Sequence, residues 1–461
     1  MDKEVLYTKS YRNRVLAVIC LAAALVPFMG SAVNLSLPQI ARDYHMNSIS
    51  QSWILTAFLI ASAIFQVPFG KVADMVGKKS IFGLGLIIIT LSSFLCAFPC
   101  GGTFLIICRV VQGIGSAMIF GTGMAIITEV FSAGGRGKAL GINAAVVYLS
   151  LALGPSAGGF IAYKWGWQGI FIVIAVMSLI AYTGAVVIIK GEKAVAKGEP
   201  FDIRGAFMYG AAMILVIYGF TILPSLPGFI SIVSGTGLFV YFMRYEKKKE
   251  YPVLNVKLFF TNRVFTFSSL AALINYAVTF PIGFFMSLYL QEVKGFGVQY
   301  AGLILIVQPV MQALLSPVAG RLSDKIHSHY LASAGMALIT LALILIALFI
   351  TIDSSLTFII IILVMLGVGF GAFSSPNTNM IMSSVDKRDY SMASATTGTM
   401  RLTGQAFSMG ITTMVLAIFL SGARITPEVA PQFIHTMKAG FVIFAVLSAC
   451  GVYASMKRNS K

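Results

Sequence analysis

Carboxylates are scarce in this chain and confined in their placement. Sixteen Asp and Glu stand against 33 Lys and Arg in 461 residues, and every acid falls in a loop, a tail or the last turn of an apolar run. Glu129 and Glu292, at run ends, come closest to the interior. Proton exchange within a membrane normally uses a carboxylate whose pKa rises on desolvation, and no acid is placed for that work. The four histidines offer no substitute: His45, His327 and His329 lie in loops and His435 opens the last apolar run. Five cysteines (Cys20, Cys96, Cys100, Cys108 and Cys450) sit in or beside apolar stretches without disulfide or metal-ligand spacing, so they read as packing residues. No phosphate-binding Gly-Lys-Ser/Thr loop, HExxH or paired Cys/His set occurs. No soluble stretch is long enough for a nucleotide-binding domain. These gaps exclude an enzyme and an ATP-driven pump, and no cofactor or metal is expected.

Apolar residues fill the space instead. They make up 58% of the chain, and charged residues only 11%, more apolar surface than one or two soluble cores of this length could bury. Runs of about twenty apolar residues, enough to cross a bilayer as helix, recur from end to end. The pattern predicts an all-α polytopic membrane protein with spans near 14–37, 52–70, 80–100, 103–129, 139–163, 167–190, 205–223, 227–244, 264–291, 298–320, 330–351, 355–382, 393–421 and 436–456. The first run is too long for a signal peptide and lacks a cleavage site after it, so it is expected to stay as a span. A net charge of +17 does not point to nucleic acid, because the basic residues gather in alternate short loops. That asymmetry places both termini in the cytoplasm of a cell with the protein in its cytoplasmic membrane.

A repeat divides the chain. GKVADMV (Gly70–Val76) follows the second span and GRLSDKI (Gly320–Ile326) follows the tenth, each joining Gly, a basic residue and Asp. A second copy after an even number of spans implies two parallel halves. The expected organisation is a six-helix bundle over 1–190, two inserted helices with flanking cytoplasmic loops over 191–262, and a second six-helix bundle over 263–461.

With these motifs in place, the chain resembles the major facilitator superfamily, in its fourteen-helix drug:proton antiporter branch. GKVADMVGKK (Gly70–Lys79) is similar to the superfamily's loop signature, RVVQGIGSA (Arg109–Ala117) to its fourth-helix signature, and LGPSAGGF (Leu153–Phe160) to the fifth-helix signature of exporters. PFDIRGA, LFFTNRVF, LYLQEVKGF, SPNTNMIM and TMRLTGQAF resemble further patterns of the branch, in order along the chain. In the first helix Asn34, Leu37 and Pro38 match the branch, Ser36 replaces its Ala, and Met29 stands where it usually has Asp.

The resemblance implies a conformational-switch loop at Gly70, Asp74, Gly77, Lys78 and Lys79 with its repeat at Gly320 and Asp324. It also implies a helix-bend motif at Gly154, Pro155, Gly158 and Gly159, in which small residues admit close helix packing and Pro155 frees a backbone bond. Arg109 and Arg401 lie deep in their spans and should face protein or water. The resemblance implies a role for their charge in the transport cycle, with snorkelling to the membrane edge the competing reading for Arg109. Asn34, Gln112, Asn275, Gln308, Gln312, Asn377 and Asn379 are candidate cavity-lining groups, with helix cross-linking as the competing role. The expected function is secondary transport: export of amphipathic small molecules by alternating access, with protons as the coupling ion implied by resemblance. The alternatives are export of a lipid or an anionic metabolite without proton antiport, or a non-transporting membrane sensor. The expected partners are a small-molecule substrate and the bilayer, and the expected state is a monomer.

Overall fold

Helix starts in this protein are written in short polar signals. Thr8, Asp202, Ser225, Asn262 and Ser355 each precede an apolar run and each accept a hydrogen bond from a backbone N–H three residues on, the role of an N-cap. The structure, a computed structural model, describes residues 8–46, 48–132, 134–190, 194–420 and 429–459.

Six helices come first: α1 (Lys9–Asp43), α2 (Ser48–Val76), α3 (Lys78–Ala97), α4 (Gly102–Val130), α5 (Arg136–Trp165) and α6 (Gln168–Ile188). The pair α7 (Ile203–Thr221) and α8 (Leu226–Glu246) follows, then the short α9 (Val256–Thr261). The remainder comprises α10 (Arg263–Leu288), α11 (Val298–Leu305), α12 (Val307–Ser323), α13 (Ser328–Phe349), α14 (Leu356–Ser383), α15 (Tyr390–Leu420) and α16 (Ala430–Met456). A π-helical turn at Tyr289–Val293 extends α10, and α11 and α12 form one span interrupted at Ile306. Fourteen spans are long and apolar enough to cross a membrane, and no strand occurs among the described residues. The chain is an all-helical, fourteen-span membrane protein.

Packing repeats the sequence repeat. In the first six helices α1 packs on α5 and α6, α2 on α4, and α3 on α4 and α6. Later in the chain α10 packs on α15 and α16, α12 on α14, and α13 on α14 and α16, the same pairings in the same order. Close approach uses matching glycines. A Cβ on Gly85 would come within 2.8 Å of the Gly115 carbonyl oxygen, and one on Gly335 within 2.7 Å of that of Gly369; only a bare backbone fits there. Across the two sets, α5 packs on α12 and α14 while α15 packs on α2 and α4.

One expectation needs adjustment. The segment beginning at Gly70 is not a loop throughout: α2 runs on to Val76 and breaks at Gly77, whose φ of 120° admits glycine readily. Gly320 likewise lies inside α12, and Asp324 forms its C-cap. These ends pack against other helices, so the backbone ladder persists where the sequence suggested a turn.

Candidate functional site

Both motif aspartates act across the molecule rather than on their own turns. They lie at the end where α1 begins and the basic connections gather, here the basic end. The α3 start at Gly77 has no side-chain cap, so Asp74 does not serve it. Asp324 instead reaches the start of α5 and accepts hydrogen bonds from the backbone N–H groups of Gly137 (Oδ1, 2.8 Å) and Lys138 (Oδ2, 3.1 Å). The α5 N-terminus thereby gains an acceptor and a charge of the sign its dipole favours. Asp74 lies beside Ser391 at the start of α15; it is buried, and its Oδ1 has no hydrogen-bond partner. Gly70 faces Ser391 and Ala395, as Gly320 faces Gly137 and Ser375. Arg136 donates from Nε to Asn379 Oδ1 at 2.8 Å, and Asn379 donates to Ser323 Oγ at 3.1 Å. Asp324 thus holds the α5 start from the other set, Asp74 lies against the α15 start without a hydrogen bond to Oδ1, and the two sets meet at the basic end.

Lys78 is buried and donates to Glu129 Oε2 at 2.9 Å. Lys79 is half-buried and reaches the Val186 carbonyl at 3.1 Å. A further tie comes from outside the expected site. Glu199, before α7, takes Lys71 of α2 at 2.6 Å and also binds Arg388 just ahead of α15. The Asp74 carbonyl accepts from Ala196 N at 2.9 Å. The sequence marked Glu199 as loop charge only. A cleft of about 350 Å³ opens beside this network, lined in part by Lys71, Asp74, Glu246, Arg388 and Asp389.

Arg109 is fully buried. Its Nε donates to the Ile54 carbonyl at 2.9 Å, and its Nη1 to Gln112 Oε1 at 2.7 Å and to Met29 Sδ at 3.2 Å. The guanidinium also stacks 4.4 Å from the Phe58 ring centre, and Nη2 has no partner. No carboxylate is paired with it among the described residues. Gln112 passes the network on to Ser93 Oγ at 2.8 Å. Met29, the departure in the first helix, is thus the side chain that faces the buried arginine.

Arg401 is half-buried near the middle of α15, its guanidinium 4.0 Å from the Phe120 ring centre. The hydroxyls of Tyr148 and Tyr276 lie within electrostatic reach of it and of each other, and Tyr148 Oη lies 2.9 Å from Ser374 Oγ. Phe120 and Tyr148 come from α4 and α5, while Tyr276, Ser374 and Arg401 come from α10, α14 and α15. Phe120, Tyr148 and Tyr276 escaped the sequence reading because aromatics are common in apolar spans and carry no spacing signature.

The remaining candidates scatter. Asn275 donates to Met336 Sδ at 3.7 Å and Asn377 to the Ser268 carbonyl at 3.1 Å, both as buried links between helices. Gln312 is buried, Gln308 half-buried and Asn34 exposed. In α5, Gly154 meets Ser31 and Gly158 meets Ala32 of α1, while Pro155 is exposed. Gly159 lines a shallow groove with Ser36, Gln39, Ala162 and Tyr163. The described residues contain no group of three or more His, Cys, Asp or Glu able to hold a metal.

Repeated helix pairing, an aspartate of one set capping a helix of the other, and arginines within the spans define a polytopic membrane protein of transporter architecture. The profile of the Major Facilitator Superfamily matches residues 19–409, and the chain belongs to that family. It is similar to the riboflavin transporter RibZ of Clostridioides difficile, 30% identical over 80% of this chain and 81% of that one. The uncharacterized transporter YebQ of Escherichia coli is 26% identical over 95% and 94%. The multidrug resistance protein Stp of Mycobacterium tuberculosis is 24% identical over 89% and 77%. Among solved structures the chain resembles the human organic anion transporter MFSD10 (TETRAN), with a TM-score of 0.71 at 13% identity, covering 96% of this chain and 99% of that one. That likeness is one of fold.

Proposed function

We propose that this protein is a secondary exporter of amphipathic small molecules that works by alternating access, its bundles over 1–190 and 263–461 rocking against each other with the pair over 191–262 alongside. The basic end is the cytoplasmic end, with both termini there, in a cell membrane. The observation that carries this reading is the reciprocal docking of Asp324 on α5 and Asp74 beside α15. Such a joint closes one end of a path, and breaking it on both sides opens that end. Gly70, Gly77, Lys78, Lys79 and Gly320 serve the same switch, and Gly154, Pro155, Gly158 and Gly159 let α5 move against α1.

An efflux panel of amphipathic cations, neutral compounds, anions and lipids, run in proteoliposomes, tests this. At least one amphipathic class should move, and Asp74→Asn should slow it without loss of membrane insertion. Failure of every compound to move would overturn the export reading, and wild-type rates in Asp74→Asn would reduce the motif to packing. A second reading, export of organic anions without proton antiport, draws support from Arg109 and Arg401, neither of which has a carboxylate partner among the described residues.

A further inference from the structure

We infer that Arg401, Tyr148, Tyr276 and Phe120 form a binding site for the anionic group of an aromatic amphiphile. The inference rests on the exporter reading above and names the ligand chemistry at its centre.

Depth comes first. Arg401 lies about 17 Å along α15 from Tyr390, at about 1.5 Å per residue, near the middle of a hydrocarbon layer of about 30 Å. A cation so placed is costly unless it is paired or faces water. Arg401 is nevertheless half-buried while its neighbours Thr399 and Leu402 are packed away, and its guanidinium meets Phe120 of the other bundle. No described carboxylate pairs with it, and the nearest acid on its own helix, Asp389, lies just before the first turn. An aromatic face and two phenol hydroxyls surround it instead.

Those groups suit one chemistry. A guanidinium offers a planar fork of donors that matches a carboxylate, sulfonate or phosphate edge. Phenol hydroxyls supply further donors to the same oxygens, and rings of Phe120, Tyr148 and Tyr276 can flank an aromatic body in offset or edge contact. An ammonium of equal size meets repulsion from Arg401 and finds no acid. The site therefore favours anions over isosteric cations as well as binding aromatic bodies.

The site also reports on the transport cycle. Phe120 and Tyr148 belong to one bundle, Tyr276 and Arg401 to the other, and here the Phe120 ring covers the guanidinium at 4.0 Å. With the basic end shut, Phe120 competes with a ligand for that face. Separation of α4 from α15 exposes the guanidinium, so an anion is taken up when the basic end opens.

The test uses the full-length protein in nanodiscs and three probes of one shape: 2-naphthoate, 2-naphthylmethanol and 2-naphthylmethylammonium, titrated by calorimetry. The wild type should bind the carboxylate most tightly and the ammonium least. Arg401→Gln should weaken naphthoate by roughly tenfold or more, the scale of a lost charge-assisted hydrogen bond, while the alcohol changes by less than about twofold. Arg401→Lys, which keeps the charge but loses the fork, should fall between. It also carries the test if the glutamine variant does not fold. Equal binding of the three probes, a preference for the ammonium, or undiminished naphthoate binding in Arg401→Gln would overturn the site. An exporting protein with no anion preference fails this inference alone, and an anion preference without any efflux fails the exporter reading alone.

Discussion

At the scale of single residues, the buried arginine of α4 depends on its neighbour at position 29. Arg109 has one nitrogen on Met29 Sδ and another with no partner. In Met29→Glu the carboxyl carbon would fall where the sulfur now lies, bringing two acceptors to that guanidinium. A buried carboxylate so placed holds its proton in one arrangement of the helices and yields it when the arginine approaches. The expected outcome is substrate-driven proton movement greater than wild type, read with a pH-sensitive dye inside proteoliposomes. An unchanged proton signal in a folded variant would show that position 29 does not set coupling. Resemblance to the branch's first-helix pattern marked Met29 as a departure, but its contact with Arg109 spans α1 and α4 and needed the fold.

The elements carry the switch. Asp324 caps α5 with two backbone hydrogen bonds from a residue far away in the chain. Asp324→Asn keeps the size, removes the charge facing the helix dipole and leaves one amide donor facing an N–H donor. A lost cap and dipole contact of this kind costs about 1–2 kcal/mol, enough to shift the ratio of shut to open states by roughly fivefold to thirtyfold. Pulsed spin-label distances between α5 and α12 at the basic end should broaden toward longer values; an unchanged distribution would remove Asp324 from the latch. Glu199→Gln should act in the same direction, because its largely buried carboxylate ties Lys71 of α2 to Arg388 ahead of α15. The aspartates were legible in sequence because they repeat with a glycine and a basic residue at fixed spacing. Their targets were not, since Gly137 and Ser391 carry no mark of what docks on them. Glu199 belongs to no repeat, so nothing in its own segment announced the bridge.

At the scale of the whole molecule, the distribution of charge bears on what drives transport. Span count could be read from hydropathy, because membrane helices must be long, apolar and internally bonded, and the twin GK/GR motifs pointed to the repeated packing. The path between bundles was less legible, since its aromatics look like any others in a lipid-facing run. With Arg401 facing that path and no described acid opposite it, an organic anion neutralises the site as it crosses and needs no proton in exchange. Export of one negative charge from a cell that is negative inside is itself downhill: 100 mV contributes about 2.3 kcal/mol per charge, roughly a fiftyfold gradient. In proteoliposomes loaded with 2-naphthoate, a valinomycin-clamped potassium potential, negative on the lumenal side that stands for the cytoplasm, should therefore speed efflux. With potassium equal on both sides, collapse of an imposed pH gradient with nigericin should leave the rate within about twofold. A rate that follows the pH gradient and ignores the potential would instead show the anion leaving together with a proton. A rate that follows both would show proton antiport, its carboxylate then lying among the acids at the span ends.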